Sequence, residues 1–363
     1  MRPDAAGDPA ADGVSGMSLA DLDYELPPAL IAQHPIEPRD ASRLLVVRRA
    51  GGVLEDADFR SLPDLLSAGD VLVRNDTRVF PARAFFRRAT GGRVEALFLR
   101  PLASACGEER WEALLRGRPR SGERLVSEPL GESWALRCDE PFGGGRWALA
   151  SEAPRAVLDL LGEAGRTPLP PYIHAPLADG ERYQTLYARA VGSAAAPTAG
   201  LHFTPAVDAA LATAGVSLET VTLHVGLGTF SPLRQERLDD ERLHAERFAV
   251  EDAAWRRIAA ARGKGGRVVA VGTTTARTLE HLALGTTKAA ADGVLRAETD
   301  LFIKPGFVFG VVDAMLTNFH LPRSSLLALV MAFCGVGLTR AAYRHAVEER
   351  YRFYSFGDAM LAL

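Results

Sequence analysis

Between about Arg83 and Ala150 the chain changes texture, and this limits what it can fold into more than any other feature. Inside the stretch, pieces such as Val94-Glu95-Ala96-Leu97-Phe98-Leu99 and Trp111-Glu112-Ala113-Leu114-Leu115 are short and β-like, and Gly, Pro and Ser clusters separate them. Regular short strands with turn punctuation and no helical period predict a small barrel or sandwich. Gly143-Gly144-Gly145 near its end marks a hairpin or hinge. On the N-terminal side, Leu44–Val47 and Val71–Val73 are apolar runs bounded by turn residues, as buried strands are. On the C-terminal side, Thr204 and Pro205 take the N-cap and N1 positions of a helix through Val207, Ala210, Leu211 and Ala214, closed by Gly215. In the strand that follows, Val221, Leu223 and Val225 point one way, while Thr220, Thr222 and His224 point the other. Trp255, Ile258 and Ala259 mark a second helix. Val268–Val271 lead through a Thr-rich turn into a helix with Leu279 and Leu282. Thr339 is expected to cap a last helix bearing Tyr343, Ala346 and Val347. The pattern predicts a large α/β domain interrupted by an inserted small β-barrel domain, α+β overall. The expected boundaries are 1–18 for a disordered tail, 19–82 and 154–363 for the large domain, and 83–153 for the insert.

Composition narrows the function classes. The 363 residues suit two domains, and 47% hydrophobic with 24% charged residues excludes a largely disordered chain. Three cysteines without a CxxC pair exclude a disulfide framework and the common zinc modules, and suit a reducing cytoplasm. The longest apolar run, Leu326–Cys334, falls short of the roughly 18–20 residues a membrane span needs, so a buried helix or strand is expected. The first eighteen residues lack the apolar core of a signal peptide, and a cytoplasmic location is expected. The net charge of −3 is distributed unevenly: Arg74 to Arg124 holds twelve Arg against six acids. A codon bias accounts for Arg over Lys but not for this regional excess, which is the footprint a phosphate backbone requires.

Several polar segments could carry chemistry. Gly226-Leu227-Gly228-Thr229-Phe230-Ser231 follows a strand, but it lacks a third Gly, and Pro232 blocks the helix of a dinucleotide fingerprint. Such a turn still lets backbone approach a ligand closely. His224 beside it faces away from the apolar side, where a lone histidine is more often structural than catalytic. In Val271-Gly272-Thr273-Thr274-Thr275-Ala276-Arg277, N–H groups and hydroxyls gather at a strand-to-helix junction, suited to a carboxylate or phosphate or to simple capping. His202, His224, His244 and His320 have no metal-type spacing, so no metal is assigned. Ser193 does not lie in a GxSxG elbow, which argues against a serine hydrolase. Asn75-Asp76-Thr77-Arg78 and Asn318-Phe319-His320 crowd polar groups against apolar strands, where they need partners or a ligand.

Together these segments resemble the S-adenosylmethionine:tRNA ribosyltransferase-isomerase family, the epoxyqueuosine-forming enzymes. The resemblance rests on NDTRVFPAR (Asn75 to Arg83), TGGRVEALFL (Thr90 to Leu99), PLPPYI (Pro168 to Ile173) and RYQTLYA (Arg182 to Ala188). It continues through GSAAAPTAGLHFT (Gly192 to Thr204), TLHVGLGTF (Thr222 to Phe230), HAERF (His244 to Phe248) and VGTTTARTLE (Val271 to Glu280). TDLFIKPGF (Thr299 to Phe307), TNFHLPRSSLLALV (Thr317 to Val330) and YRFYSFGDAM (Tyr351 to Met360) complete it in family order.

The resemblance implies a transferase in which S-adenosylmethionine, a co-substrate rather than a bound cofactor, gives up its ribosyl carbons. The acceptor would be 7-aminomethyl-7-deazaguanine at the wobble position of tRNAs with a GUN anticodon (Asp, Asn, His, Tyr). The products would be epoxyqueuosine-tRNA, adenine and methionine. No metal and no membrane are implied, and a monomer is expected. For acid–base work the expected residues are His202, His224, His320 and Asp76. For the nucleoside donor they are Thr198, Phe203, Thr222, Gly226, Gly228, Thr229, Phe230, Thr273, Thr274, Thr275 and Asn318. For substrate or tRNA phosphate they are Arg78, Arg83, Arg87, Arg88, Arg116, Arg118, Arg120 and Arg277. The sequence departs from the family pattern at Glu241, where a His is common, at Ala297 in place of a Gly, and in the rearranged basic loop Arg116–Arg120. A relative using the same donor on another acceptor, and a tRNA-binding protein without turnover, stay open as alternatives.

Overall fold

The computed structural model describes residues 16–103, 107–226, 233 and 235–363. The described residues form two compact units. One comprises residues 16–75, 198–223, 233 and 235–363, the other residues 76–103, 107–197 and 224–226.

The first unit is built on nine strands: β1 (Arg43–Arg48), β2 (Val53–Asp58), β3 (Val71–Asn75), β12 (Ser217–Leu223), β13 (Glu246–Glu251), β14 (Val268–Val271), β15 (Val294–Thr299), β16 (Ala314–Asn318) and β17 (Ala359–Ala362). Their order across the sheet is β15-β13-β12-β3-β14-β16-β17-β1-β2. The four central strands, β12, β3, β14 and β16, are mutually parallel. Two of them carry continuous apolar runs: Val71–Val73 and Val268–Val271 are buried throughout, as strands covered on both faces must be. In β12, Val221 and Leu223 are buried while Thr220 and Thr222 are half-buried, which follows the predicted alternation. The chain leaves at Asn75 and returns to lay β12 beside β3.

Among the described residues six α-helices belong to this unit: Leu62–Leu65, Pro205–Thr213, Asp252–Gly263, Thr273–Ala283, Ser325–Cys334 and Val336–Glu348. Thr204 caps the helix Pro205–Thr213 as expected, its hydroxyl accepting from Val207 N at 3.3 Å. The apolar run Leu326–Cys334 is a buried helix. Thr339 does not cap the last helix. That helix begins at Val336, and the Thr339 hydroxyl instead donates to Gly335 O at 2.8 Å, one turn back. Among the described residues no single helix is long and apolar enough to cross a membrane.

The second unit contains six antiparallel strands: β5 (Arg83–Arg88), β6 (Arg93–Leu102), β7 (Arg110–Arg116), β8 (Arg124–Ser127), β9 (Gly131–Gly143) and β10 (Arg146–Ser151). They close into a barrel in the order β10-β7-β6-β5-β8-β9. Gly143, Gly144 and Gly145 all have positive φ and form the β9–β10 hairpin, a turn only glycine makes without strain. Aromatic rings fill the interior: Trp134 lies 4.9 Å from Phe86 and 5.7 Å from Phe98, and Trp111 lies 6.0 Å from Phe98. Val157, Leu160 and Leu161 of the helix Val157–Ala164 pack into the same core. A parallel pair, β4 (Thr77–Val79) with β11 (Ala190–Ser193), completes the unit. The protein is therefore a large α/β domain carrying an inserted β-barrel.

Candidate functional site

Each of the four central parallel strands of the first unit ends in one of the polar segments singled out above. β3 ends in Asn75, β12 in Thr222 and Leu223, β14 runs into Thr273–Thr275, and β16 ends in Asn318. Because the strands are parallel, their carboxyl ends lie along one edge, where open α/β sheets bind ligands. The Asn75 amide donates to Leu223 O at 3.0 Å and to Thr274 Oγ1 at 3.2 Å, and accepts from Leu223 N at 3.0 Å. One side chain thus ties the ends of β3 and β12 to the helix that follows β14. In that helix Thr275 donates to Val271 O at 2.7 Å and Thr278 to Thr274 O at 3.0 Å. Its first turn begins directly at the strand end, with Gly272 as N-cap and no side-chain cap. The positive end of the helix dipole therefore lies at the carboxyl edge of the sheet.

Asn318 ties in two further segments. Its Oδ1 accepts from Thr198 Oγ1 at 2.8 Å, and its Nδ2 lies 3.4 Å from His202 Nε2 and 3.5 Å from Asp358 O. His202 Nδ1 is 2.8 Å from Ser42 Oγ. With both ring nitrogens engaged and the residue 4% exposed, burial pushes the His202 imidazole down to about 4 and keeps it neutral near pH 7. His320 is similar. Its Nε2 lies 2.7 Å from Thr317 Oγ1, its backbone N–H donates to Tyr343 Oη, its carbonyl accepts from Tyr24 Oη, and burial pushes it down to about 3. Phe203 is 1% exposed and packs edge-to-face on Phe59 at 5.3 Å; its ring is used in the core.

In the second unit Asp76 is buried and accepts from Arg189 Nε and Nη2 at 3.1 and 2.7 Å. His224 is half-buried, with Nδ1 2.8 Å from Thr77 Oγ1. Ser193 is fully buried; its hydroxyl donates to Ala195 O at 2.7 Å and accepts from Val225 N at 2.9 Å, which is scaffolding rather than nucleophile geometry.

The arginines divide sharply. Arg78 pairs with Glu181 at 2.5 Å, Arg83 with Glu95 at 3.4 Å, Arg87 with Glu128 at 3.0 Å and Arg88 with Glu123 at 3.4 Å. Arg116 is mostly exposed and reaches Glu95 only at 4.0 Å. Arg118 and Arg120 are exposed, and among the described residues neither side chain makes an ion pair. Arg277 faces inward. Its guanidinium donates to Glu246 at 2.5 Å, to Leu301 O at 3.1 Å and to Thr299 O at 3.3 Å, so it is a structural group closed to a phosphate.

Thr222 and Gly226 are half-buried. Gly228, Thr229 and Phe230 lie outside the described residues. Among the described residues no group of three or more His, Cys, Asp or Glu could hold a metal. The sequence alone did not mark Ser42, Thr77, Gly192 or Asp358. Thr77, Gly192 and Asp358 lie within segments already quoted, whereas Ser42 acquires its role only through a distant partner.

A family model described as "Queuosine biosynthesis protein" matches residues 19–362. A curated relative from Anaeromyxobacter sp. (strain Fw109-5), named S-adenosylmethionine:tRNA ribosyltransferase-isomerase, is 52% identical over 350 residues, covering 95% of this chain and 99% of the relative. One of the same name from Rubrobacter xylanophilus is 52% identical over 349 residues, covering 96% and 98%. The crystal structure of S-adenosylmethionine tRNA ribosyltransferase from Thermotoga maritima is 38% identical, covers 94% of this chain and 100% of that one, and superposes with a TM-score of 0.55.

Proposed function

The chain belongs to the queuosine biosynthesis protein family of S-adenosylmethionine:tRNA ribosyltransferase-isomerases, which are transferases acting on tRNA, and from that premise we propose its full reaction. It moves the ribosyl moiety of S-adenosylmethionine onto 7-aminomethyl-7-deazaguanine at the wobble position of tRNAs with a GUN anticodon. Epoxyqueuosine-tRNA, adenine and methionine leave. The enzyme works as a cytoplasmic monomer.

One observation carries this reading: the polar ends of β3, β14 and β16 lie along a single carboxyl edge of the sheet, where Asn75 ties β3 to Thr274 and Asn318 ties β16 to Thr198. A nucleoside with a charged amino-acid tail needs such a group of hydroxyls, amides and a helix start. The Thr273–Thr275 turn receives the methionine carboxylate at the positive end of its helix. Thr198, Thr222 and Thr229 hold ribose hydroxyls. Asn318 orients Thr198, which donates to it.

The sulfonium acidifies the neighbouring ribose carbon, and a base removes its proton. The carbanion breaks the adjacent ring C–O bond, and the freed alkoxide collapses to an aldehyde as adenine leaves. Adenine departs with the electron pair of its glycosidic bond and takes up a proton. The substrate amine adds to the resulting vinyl sulfonium and gives up a proton. The regenerated ylide attacks the aldehyde, whose alkoxide displaces methionine to close the epoxide. His224 is the histidine suited to the proton transfers, because burial holds His202 and His320 neutral far below their usual range. His202 and His320 therefore position the carboxyl edge rather than exchange protons. Asp76, Arg78 and Arg83 orient the substrate, and exposed barrel arginines meet tRNA phosphate.

The test is incubation with S-adenosylmethionine and tRNA carrying the aminomethyl base, followed by adenine assay and nucleoside mass spectrometry. Adenine release that requires the modified tRNA, together with the epoxyqueuosine mass, is expected. Adenine release without that base, or an unchanged nucleoside, assigns the enzyme another acceptor.

A further inference from the structure

His224 is held by a frame that the proposed chemistry leaves unassigned. Val225 N donates to Ser193 Oγ at 2.9 Å, and Val225 O accepts from Ala194 N at 3.1 Å. These two bonds fix the backbone beside His224 against β11. The ladder of β11 with β4 runs Ala190 to Thr77 and Val191 to Arg78, then slips, so that Ser193 pairs with Val79. Gly192 is the residue at the slip, a β-bulge, the device by which strands re-aim side chains. A Cβ built on Gly192 would lie 2.8 Å from His224 Cε1 and 3.0 Å from both ring nitrogens. The imidazole face therefore lies flat over the space that any side chain at 192 would fill.

Thr77, paired with Ala190 in the same ladder, is the hydroxyl beside the ring: its Oγ1 lies 2.8 Å from His224 Nδ1 and 3.4 Å from Ala190 O. A hydroxyl carries one proton, and when that proton goes to the carbonyl, Oγ1 accepts from Nδ1. A proton on Nδ1 makes Nε2 the lone-pair nitrogen, since the bond made by one ring nitrogen decides the state of the other.

We infer that Thr77 and Gly192 are positioning residues for His224: Thr77 holds the imidazole as the Nδ1–H tautomer and Gly192 sets its plane, so that Nε2 takes the substrate proton. The inference rests on the reading that His224 does acid–base work. Neither residue touches the reacting atoms. Both act through the ring.

The test uses the full-length enzyme labelled with 15N-histidine, with the His224 signals assigned by their loss in His224→Gln. A two-bond 1H–15N correlation spectrum reads the tautomer directly. Wild type is expected to carry the proton on Nδ1, and Thr77→Val to lose that preference. In turnover assays Thr77→Val and Gly192→Ala are expected to lower kcat at least about tenfold, with KM for both substrates within about twofold, as an acid–base step alone would be impaired. Thr77→Ser is expected to restore both the spectrum and kcat. A wild-type spectrum with the proton on Nε2, or a Thr77→Val spectrum unchanged from wild type, overturns the inference. The wild-type spectrum is decisive even if a variant fails to fold. Full turnover by His224→Gln overturns the acid–base reading and the inference with it, whereas a wrong tautomer in an enzyme that needs His224 overturns the positioning alone.

Discussion

Asn75 and Leu223 exchange two hydrogen bonds, both 3.0 Å long, between an amide side chain and a backbone. The β3–β12 ladder itself stops at Asn75 opposite Val221. The Asn75 side chain thus serves as one further peptide group, extending the pairing past the point where the main chain turns away. It also fixes which end of the amide donates, and so places Thr274 as an acceptor at 3.2 Å. An aspartate could not make this set, because it has no donor for Leu223 O.

Asn75→Ala strands a buried N–H and a buried carbonyl at Leu223, which should cost about 2–5 kcal/mol. Asn75→Asp should fall in the same range because a carboxylate would face the Leu223 carbonyl. Urea unfolding of both variants checks this. A loss under about 0.5 kcal/mol would mean that the bridge contributes nothing.

The two buried histidines predict an acid-sensitive fold. Their folded-state values, about 4 for His202 and about 3 for His320, lie below the ordinary value of 6.5. Below pH 6.5 the unfolded chain takes up protons that the folded chain refuses, so stability falls as pH drops from about 6.5 toward 4 and is fully present above that window. Replacing His320 with Gln should reduce the slope of stability against pH there by about 1.4 kcal/mol per unit relative to wild type. Urea midpoints at pH 4.5, 5.5 and 6.5 measure it, and equal slopes would refute it. Comparison with wild type cancels the carboxylates that titrate nearby.

The sequence revealed the architecture wherever composition alone determines it. Continuous apolar runs at Val71–Val73 and Val268–Val271 marked doubly covered strands, and the texture change near Arg83 marked the barrel. Thr339 was misplaced because a threonine at the start of an amphipathic run has the same pattern whether it caps a helix or bonds back within one. The deciding residue was Gly335, whose φ of +84° separates the two consecutive helices. Site residues were legible as types but not as environments. Phe203 and Arg277 carry the right chemistry for a ligand, yet both are buried against partners that sequence does not specify. The roles of Ser42 and Thr77 are unreadable in sequence for a plainer reason: the histidines they touch lie 160 and 147 positions away.

Arg277 illustrates what burial does to a charged candidate. It and Glu246 are 5% and 4% exposed at the side chain and form a closed pair. Arg277→Met removes the counter-charge of Glu246 in the interior, at a cost of about 3–5 kcal/mol. Arg277→Met with Glu246→Leu should recover most of that stability, since two apolar residues replace a pair that was costly to desolvate. The salt dependence of tRNA binding should stay at the wild-type slope in the double variant. A shallower slope would return Arg277 to the phosphate-binding set.

The barrel arginines should separate by whether they already have a partner. Arg118 and Arg120 are exposed and, among the described residues, make no ion pair, so a polyanion can take them without displacing a carboxylate. Arg118→Ala with Arg120→Ala should weaken tRNA binding and reduce the slope of log K against log salt by about one to two, with stability unchanged within about 0.5 kcal/mol. Arg100 and Arg146 are different, since both serve the buried Glu112 at 2.8 and 3.2 Å. Removing both leaves a carboxylate in the barrel wall without its counter-charge, so that variant should lose stability before it loses tRNA. Titrations of the two double variants at several salt concentrations, paired with urea unfolding, distinguish the effects. If the Arg100 and Arg146 variant flattened the salt slope while the Arg118 and Arg120 variant did not, phosphate would be meeting the paired arginines, and the exposed loop would not be the part that binds RNA.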